Sequence, residues 1–341
     1  MPDQAESARR ATIRDVAAQA GVSIGTASKA LNGQGKLRRE TRDRVAAAAR
    51  ELGFAPNLLA RGLLGGRTYT VGMITTDSFG RFSIPVMLGA EDALGSGQIS
   101  VFMCDTRDDP ARERSYVEGL LSRRVDGLIV TGRRVEPRPS VGTRLGIPVV
   151  YAMTQSLDSD EPAVIPDDRG AGQLAALHLI GAGRHRLGHI TGPERFLAVR
   201  KRASGFCEAA ASAGVGISTS DVLYGEWSEQ WGREAARILL RTAPDVDSIF
   251  CGSDQLARGV SDSLQRMGRR VPDDIALVGV DNWEPMALGA DPPLTSIDMC
   301  LEDVGRQAAE LLLAAIGGTP AHGLTTVPCR LIARASTRSS A

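Results

Sequence analysis

The sequence of 341 residues has no long apolar run and no apolar stretch near its start, and each absence excludes a class of protein. Aromatic residues make up 4% of the chain and hydrophobic residues 43%, which is typical of a globular protein in water. No apolar run of about 18 residues occurs, so we expect no transmembrane helix. Because residues 1–10 are polar and lack the apolar centre of a signal peptide, we predict a cytoplasmic protein.

The sequence also lacks the paired cysteines and histidines of a disulfide or metal site. His185 and His189 are four residues apart, but Gly188 and the surrounding loop-to-strand pattern place them outside any helix. The cysteines are odd in number and contain no C-x-x-C pair, so we interpret them as small hydrophobic residues of a reducing compartment. We expect no bound metal ion and no cofactor. The five cysteines are Cys104, Cys207, Cys251, Cys300 and Cys329.

Catalytic motifs are missing as well. The sequence contains no H-E-x-x-H, G-x-S-x-G or G-x-x-x-x-G-K-[ST], and its glycine-rich stretches match no phosphate-binding loop. Since no other set of catalytic side chains is evident, we predict that the protein is not an enzyme.

Charge is present in equal amounts of both signs, but it is distributed unevenly along the chain. Residues 1–67 contain 12 Lys or Arg and 6 Asp or Glu, whereas the remaining residues contain 28 and 34. A basic head on an acidic body indicates that the head alone contacts phosphates.

Residues 12–32 predict two short helices joined by a tight turn. Thr12 and Asp15 have the spacing of an N-terminal capping box, Gly21 supplies a left-handed stop, and Ser23 caps the second helix. This arrangement is typical of a helix-turn-helix whose second helix enters the DNA major groove. A simple alanine-rich helical hairpin has the same pattern, so the motif alone leaves both interpretations open. The apolar face of the first helix is formed by Ile13, Val16, Ala17 and Ala20.

The predicted head extends over residues 11–56, after a disordered leader at 1–10, and contains a third helix at about 39–52. Gly53 ends that helix and Pro56 blocks its continuation. Residues 57–66 have room for a helix of only about eight residues, which is too short to hold in water alone. We interpret this segment as a hinge helix that forms conditionally, although an ordinary linker is the alternative. The leucines that favour the hinge are Leu58, Leu59, Leu63 and Leu64.

From residue 67 to 341 the pattern changes to buried strands that alternate with amphipathic helices. This alternation predicts parallel sheets covered on both faces. Two successive sets of similar size indicate two doubly wound lobes, one at about 67–166 and 298–323, the other at about 167–297 and 324–338. The predicted fold class is therefore an all-α helix-turn-helix head with an α/β body of two parallel-sheet lobes.

Ligands of such sheets bind beyond the carboxyl ends of the strands, so a small ligand is expected in the cleft between the lobes. Carboxylates, a guanidinium and an indole suit a polyhydroxylated ligand, since they bind vicinal hydroxyls and cover an apolar sugar face. Asp254 and Asp281 have helix capping as an alternative role, and Trp227 has a place in the core. Arg133-Arg134 and Arg269-Arg270 are interpreted as solvated surface. The predicted effector-binding residues are Asp77, Phe82, Asp167, Arg202, Trp227, Ser253, Asp254 and Asp281.

The head resembles that of a known family. The segments T-I-R-D-V-A-A-Q-A-G-V-S-I-G-T-A-S-K-A-L-N and E-L-G-F-A-P-N-L-L-A-R-G-L, followed by T-V-G-M-I, are similar to the head and hinge of the lactose/galactose-repressor (LacI/GalR) family. The similarity extends over nearly the whole chain. It implies a body of periplasmic-binding-protein type and a homodimeric transcriptional repressor that binds a pseudo-palindromic operator and is controlled allosterically by a small effector, a sugar in our prediction.

The resemblance also implies roles for single residues. Ile24, Gly25 and Lys29 read bases, and in the hinge Asn57, Ala60 and Leu63 contact DNA, with Leu63 wedged into the minor groove at a pyrimidine–purine step. Contacts with the DNA backbone are assigned to Thr12, Ser23, Thr26, Ser28 and Asn32.

The sequence departs from the family pattern at several positions. Lys29 stands where the family has Arg, which puts bidentate guanine reading in doubt. The usual N-P-F-F is replaced by Gly80-Arg81-Phe82-Ser83, and the glycine expected near Ala171 is displaced to Gly170 and Gly172. Both changes lie near the cleft and indicate an unusual effector. No leucine-heptad tail follows Arg334, which favours a dimer over a tetramer.

Two other functions compete with the repressor. A solute-binding protein for transport would share the two lobes but needs a signal sequence and no head. A cytoplasmic sugar-binding or sugar-processing protein is the second alternative, and processing would need a general acid and base beside the bound ring.

Overall fold

A computed structural model describes residues 11–31, 35–54, 67–95, 99–142 and 145–337. The chain divides into two compact units, a head at 1–69 and a body at 70–341. The division between the units therefore falls close to the predicted end of the hinge.

The head is built from three helices: α1 (Ile13–Gln19), α2 (Ile24–Leu31) and α3 (Arg39–Glu51). Gly21 has a φ of 62° and turns the chain out of α1, as predicted for a left-handed stop. The Ser23 hydroxyl accepts a hydrogen bond from the Thr26 amide at 3.1 Å and so begins α2. The small core of the head contains Val16, Ala17, Ala20, Ala27, Val45, Ala48 and Ala49.

The first sheet of the body has six parallel strands in the order β13-β7-β5-β3-β1-β2. Its central strands are buried along their length, which explains their continuous apolar sequences. The strands are β1 (Thr70–Thr75), β2 (Ser100–Asp105), β3 (Gly127–Thr131), β5 (Val149–Ala152), β7 (Ala163–Pro166) and β13 (Leu324–Val327). A separate pair is formed by β4 (Pro137–Arg138) and β6 (Gln155–Ser156).

The second sheet has the order β14-β12-β11-β10-β8-β9, with β14 antiparallel to β12 and the other neighbours parallel. Its strands are β8 (Leu187–Thr191), β9 (Val222–Tyr224), β10 (Ser248–Cys251), β11 (Ala276–Val280), β12 (Thr295–Asp298) and β14 (Arg330–Ile332). The two sheets confirm the predicted pair of doubly wound lobes.

Helices cover both sheets. The first lobe carries α4 (Ser83–Leu94), α5 (Pro110–Ser122) and α11 (Leu301–Ile316). The second lobe carries α6 (Asp168–Gly181), α7 (Leu197–Ser212), α8 (Glu229–Thr242), α9 (Asp254–Arg266) and the short α10 (Glu284–Ala287), with a 3₁₀ turn at Thr219–Asp221.

Glycines allow α6 and α7 to touch backbone to backbone. A Cβ on Gly172 would lie 2.1 Å from the Arg202 carbonyl oxygen, and one on Gly205 would lie 2.0 Å from the Arg169 carbonyl oxygen. The glycine at 172, a departure from the family pattern, therefore sets the position of the helix that carries Arg202.

Three expectations about the chain differ from the structure. Strand β13 at 324–327 was expected in the second lobe, but it pairs with β7 in the first sheet, and the chain returns to the second lobe only at β14. The sequence pattern predicts helices that begin at Gly172 and Arg202, but α6 and α7 begin earlier, at Asp168 and Leu197. Arg202 therefore lies in the second turn of α7, where the helix dipole matters less than at its start.

Two general features complete the description of the fold. All five cysteines are free thiols, and Cys251, Cys300 and Cys329 are buried, as the hydrophobic interpretation predicts. Within the described ranges, no helix is long and apolar enough to cross a membrane.

Candidate functional site

The outer face of α2 presents most of the predicted base-reading side chains of the head. Ile24 is 48% exposed, which is unusual for a large aliphatic residue, and Gly25 and Lys29 are exposed beside it. Thr26 and Ser28 are half-buried, because the opposite side of α2 packs Ala27 into the core. The helix therefore offers a methyl-rich patch and one cation to a groove.

The start of each helix positions the predicted phosphate contacts. The backbone amide and hydroxyl of Thr12 donate to the Asp15 carboxylate at 2.8 and 2.7 Å, which fixes the first turn of α1. Ser23 is exposed and bonds the Thr26 hydroxyl at 2.9 Å. The predicted contacts Asn32, Asn57, Ala60 and Leu63 lie outside the described residues, as do the leader and the hinge segment.

A cavity of about 240 Å³ lies between the two lobes of the body, at the carboxyl ends of the strands. Phe82 follows β1 and Met153 follows β5 on the first-lobe side. Trp227 follows β9 and Asp281 follows β11 on the second-lobe side. The structure therefore brings a ligand-sized space to the edge where doubly wound sheets bind ligands.

Arg202 is the best-fixed polar group of this cavity. It is 5% exposed, its Nε donates to the Asp168 carboxylate at 2.7 Å, and its Nη1 donates to the Gly252 carbonyl at 2.8 Å. Its Nη2 lies 3.2 Å from the Met299 sulfur. Burial lowers the pKa of this guanidinium and Asp168 raises it, with a net shift upward, so the group is charged. Asp168 is thus the ionic partner that holds Arg202 in place.

Asp281 lines the cavity from a strained turn. Its φ is 104° and that of Asn282 is 50°, both in the region that side chains rarely adopt, and such outliers concentrate at ligand sites. Its carboxylate is nearly buried and forms an ion pair with Arg81 of the first lobe. Burial raises the pKa of Asp281, whereas Arg81 and Arg202 act to lower it.

Three further predicted effector contacts line the same cavity: Phe82, Trp227 and Ser253. The indole of Trp227 lies so close to Gly192 that a Cβ there would be 2.3 Å from the ring. Ser253 also caps α9, because its hydroxyl accepts from the Leu256 amide at 3.2 Å. The half-buried Trp227 therefore lines the cavity with its ring packed against the backbone of Gly192.

Asp77, Asp167 and Asp254, also predicted as effector-binding, do not line this cavity. Asp77 accepts hydrogen bonds from the Phe82 and Ser83 amides at 2.7 and 3.0 Å and so fixes the start of α4. Asp167 caps α6 by accepting from the Gly170 amide at 2.9 Å. In each case the backbone amides at a helix start occupy the carboxylate, which explains why it is directed away from the cavity.

Asp254 is fully buried behind the turn that carries Asp281. Its carboxylate accepts from the Trp283 amide at 2.8 Å and from the Ser296 hydroxyl at 2.6 Å. Burial, reinforced by the charge of Asp281, raises its pKa to about 7. Asp254 therefore positions the ligand-facing turn and does not face the cavity.

Several lining residues are not among those predicted from the sequence, and Arg133 and Arg134 are the most important of them. Both are exposed, as predicted, but they stand at the cavity mouth directly after β3. Their position beyond a strand end is the signal that could have identified them. The other overlooked lining residues with polar side chains are Arg81, Glu136 and Gln255.

Polar contacts across the cavity connect the two lobes. The Glu136 carboxylate of the first lobe accepts from the Leu197 amide at the start of α7, at 2.6 Å. The Arg134 guanidinium lies 4.8 Å from the centre of the Phe196 ring. With the ion pair of Arg81 and Asp281, these contacts hold the cleft closed. Within the described part of the chain, no three His, Cys, Asp or Glu side chains come together as metal ligands.

A three-helix head with an exposed recognition helix, joined in one chain to a two-lobed body with a central cavity, defines a ligand-responsive DNA-binding regulator. The chain belongs to the LacI family of bacterial regulatory proteins. Residues 12–57 match the family's regulatory domain, and residues 68–335 match the periplasmic binding proteins and sugar-binding domain of the LacI family. The protein is therefore a transcriptional regulator, and the predicted family and fold class are confirmed.

Two similar proteins and one similar structure illustrate the relationship. The HTH-type transcriptional regulator CelR of Thermobifida fusca is 34% identical over 337 residues, with 96% of each chain covered. The HTH-type transcriptional repressor CytR of Escherichia coli is 30% identical, with 96% of this chain and 97% of CytR covered. The structure of a CelR–cellobiose complex has a TM-score of 0.67 and 32% identity, covering 96% of this chain and 100% of that one.

Proposed function

We propose that this protein is a homodimeric repressor whose affinity for a pseudo-palindromic operator is controlled by a sugar bound between the lobes. The observation that carries the proposal is the cavity in which Arg202, Asp281 and Trp227 converge at the strand ends. The organisation proposed for the chain is a head at 11–56, a hinge helix at 57–66 and an effector-binding body from 67 onward.

The composition of the cavity supports a sugar. Two N–H groups of Arg202 remain for a ligand, since a guanidinium has five and three make the contacts described above. The Asp281 carboxylate accepts hydroxyl donors, and the indole of Trp227 offers an apolar face for one side of a ring. A similar regulator is known in complex with the disaccharide cellobiose.

The contacts across the cleft support allosteric control. A ligand that enters the cavity competes with or adds to the bonds between Arg81 and Asp281 and between Glu136 and Leu197. Such a ligand binds the open and closed arrangements of the lobes unequally, and unequal binding is what shifts a two-state equilibrium. In the proposed mechanism, movement of the first lobes joins or separates the paired hinge segments and changes operator affinity.

A second copy of the chain is the proposed occupant of the exposed apolar surface of the first lobe. Strand β2 lies at the sheet edge with Phe102 and Met103 exposed by 48% and 44%, and α4 exposes Ile84 and Leu88. Apolar side chains at an edge strand favour pairing with another chain. A dimer formed there carries two heads, as a two-fold operator requires.

The proposal is tested with the full chain and a pool of random DNA duplexes. We expect selection to enrich a pseudo-palindromic sequence with a pyrimidine–purine step at its centre, bound by a dimer in analytical ultracentrifugation. Sugars and nucleosides that raise the melting temperature of the protein should then change the fraction of that duplex bound. Lys29→Ala serves as the matched variant, with weaker DNA binding and unchanged ligand response. Failure to enrich any sequence, or a ligand that binds without any effect on duplex binding, would refute the proposal.

A further inference from the structure

The first lobe contributes a strongly basic wall to the cavity. Arg81, Arg133 and Arg134 line it from that lobe, with Glu136 as the one first-lobe carboxylate. Glu136 is already used by the Leu197 amide at 2.6 Å. The carboxylates of this lobe that line the cavity therefore do not balance its lining arginines.

The second lobe compensates one of these three arginines. Its lining carboxylate, Asp281, is paired with Arg81, and its own arginine, Arg202, is neutralised by the buried Asp168. Neither pair leaves a carboxylate for Arg133 or Arg134, so these two arginines are the uncompensated part of the wall.

Arg134 is the least compensated cation of the wall. Among the described residues, no carboxylate lies within salt-bridge distance of it, and its contact is the face of the Phe196 ring at 4.8 Å. Arg133 has a loose pair with Asp108 at 3.5 Å, in which both side chains are largely exposed. The exposed guanidinium of Arg134 is therefore accessible to an anionic group at the cavity mouth.

Arg81 has a buried donor with nothing to bind. Its guanidinium lies 4.5 Å from the centre of the Trp283 ring and pairs with Asp281 through Nη2, but its Nε is buried without any hydrogen-bond partner. An unpaired buried N–H is costly, and here it belongs to a residue of the cavity wall. Because this N–H is covered in the structure, an acceptor on a ligand satisfies it only when binding displaces the side chains that cover it.

We propose that the effector is an acidic sugar, whose carboxylate or phosphate is bound by Arg134 at the mouth and by the Arg81 Nε within the cavity. This inference rests on the proposed sugar-controlled function and specifies its ligand class. Guanidinium groups form charge-assisted bonds of matching geometry with both anions, and the surrounding Phe82, Met153 and Phe196 lower the local dielectric and strengthen those bonds. The departure to Arg81 from the usual family sequence has its function here.

The experiment compares neutral sugars with their acidic counterparts on the full chain. Glucose is matched with glucuronate, gluconate and a hexose phosphate, and galactose with galacturonate, first by thermal shift and then by calorimetry. We expect at least one acid to bind at least tenfold more tightly than its neutral parent. The uronate and phosphate arms distinguish a carboxylate from a phosphate as the bound group.

Variants assign the preference to the two arginines. Arg134→Gln should weaken binding of the acid by about tenfold or more and that of the neutral parent by less than about twofold. Arg81→Lys keeps the charge beside Asp281 but loses the Nε donor, and should weaken acid binding by about tenfold. Arg195→Gln is the control, because Arg195 contacts the Phe196 ring at 4.6 Å without lining the cavity, and should change affinity by less than about twofold.

Several results would overturn the inference. They are equal or tighter binding of the neutral parents, no binding of any acid, or acid binding that survives both substitutions. A neutral sugar that binds and changes operator occupancy would leave the proposed function standing and reject only the acidic ligand. An acid that binds tightly without any change in operator occupancy would reject the proposed function instead.

Discussion

The two walls of the cavity are built in opposite ways. The second lobe presents Arg202 and Asp281, which are buried and held by fixed hydrogen bonds or ion pairs. The first lobe presents Arg133 and Arg134, which are exposed and held by a loose ion pair or by an aromatic ring alone. The second-lobe groups are therefore preorganised for a ligand, whereas Arg133 and Arg134 keep side-chain freedom that a ligand would have to restrict.

This difference separates two tasks of a binding site. A preorganised wall loses little conformational entropy on binding and suits the groups common to all sugars, the vicinal hydroxyls and the ring face. A long, exposed arginine loses more entropy, so it adds affinity only where a ligand offers an anion. The second-lobe wall therefore gives affinity for a class of ligands, and the first-lobe wall selects among its members.

The largest expected effect comes from removing the partner of Arg202. Asp168→Asn leaves a buried guanidinium without its counter-charge, at a cost of about 3 kcal/mol in the free energy of unfolding. Urea denaturation of both chains measures the loss. The matched control is Glu208→Gln, which removes the partner of the exposed Arg169 and should cost less than about 1 kcal/mol. Equal costs for the two substitutions would show that the second-lobe wall is not preorganised by its buried pair.

The next effect is a pH dependence that originates in Asp254. Its pKa is about 7 in the folded protein and 3.8 as the ordinary value, so between these pH values the folded state holds a proton that the unfolded state lacks. The free energy of unfolding therefore falls as pH rises through this window, by up to about 1.4 kcal/mol per pH unit from this group, and the contribution is constant above about pH 7.

Asp254→Asn tests this pH dependence, since an amide of the same size does not titrate. The free energy of unfolding of each protein is measured by denaturation at several pH values between about 5 and 8. The parent value minus the variant value should fall by up to about 1.4 kcal/mol per pH unit below about pH 7 and stay constant above it. Parallel behaviour over the whole range would mean that Asp254 is ionised in the folded protein.

The rule that ligands bind beyond the carboxyl ends of parallel strands predicts part of the site correctly. The residues that it correctly places at the cavity follow such a strand end or lie on the helix after it: Phe82, Arg202, Trp227, Ser253 and Asp281. The same reasoning placed three other carboxylates there, and they bond to backbone amides or to a buried hydroxyl instead. The position of a residue after a strand predicts at which edge of the sheet it lies. The direction of its side chain depends on which backbone amides at nearby helix starts need an acceptor.

The basic wall and the last part of the fold were harder to predict, for different reasons. The charge of Arg133 and Arg134 predicts a solvated surface, whereas their position directly after β3 indicates the cavity that they line. Helix α11 was not identified, although it packs against α4 and completes the first lobe. The assignment of β13 to the first sheet depends on a crossing between lobes, which local periodicity does not encode.

The smallest expected effect concerns the closing contact that the first lobe makes through Glu136. Glu136→Ala removes its hydrogen bond to the Leu197 amide across the cleft, while the ion pair of Arg81 and Asp281 remains. A single bond of this kind contributes about 1 kcal/mol, so the ratio of closed to open molecules should fall about fivefold without ligand. Small-angle X-ray scattering of the full chain should then give a larger radius of gyration, which returns toward the parent value when a bound sugar closes the cleft.

The matched control for Glu136→Ala is Glu113→Ala. Glu113 pairs with Arg138 inside the first lobe, so its loss removes a charge and an ion pair without weakening contact between lobes. We expect no change in the radius of gyration for this variant. Equal expansion in both variants would attribute the effect to damage within the first lobe. No expansion in either would mean that the ion pair of Arg81 and Asp281 alone keeps the cleft closed, so that selection and closure both depend on Arg81.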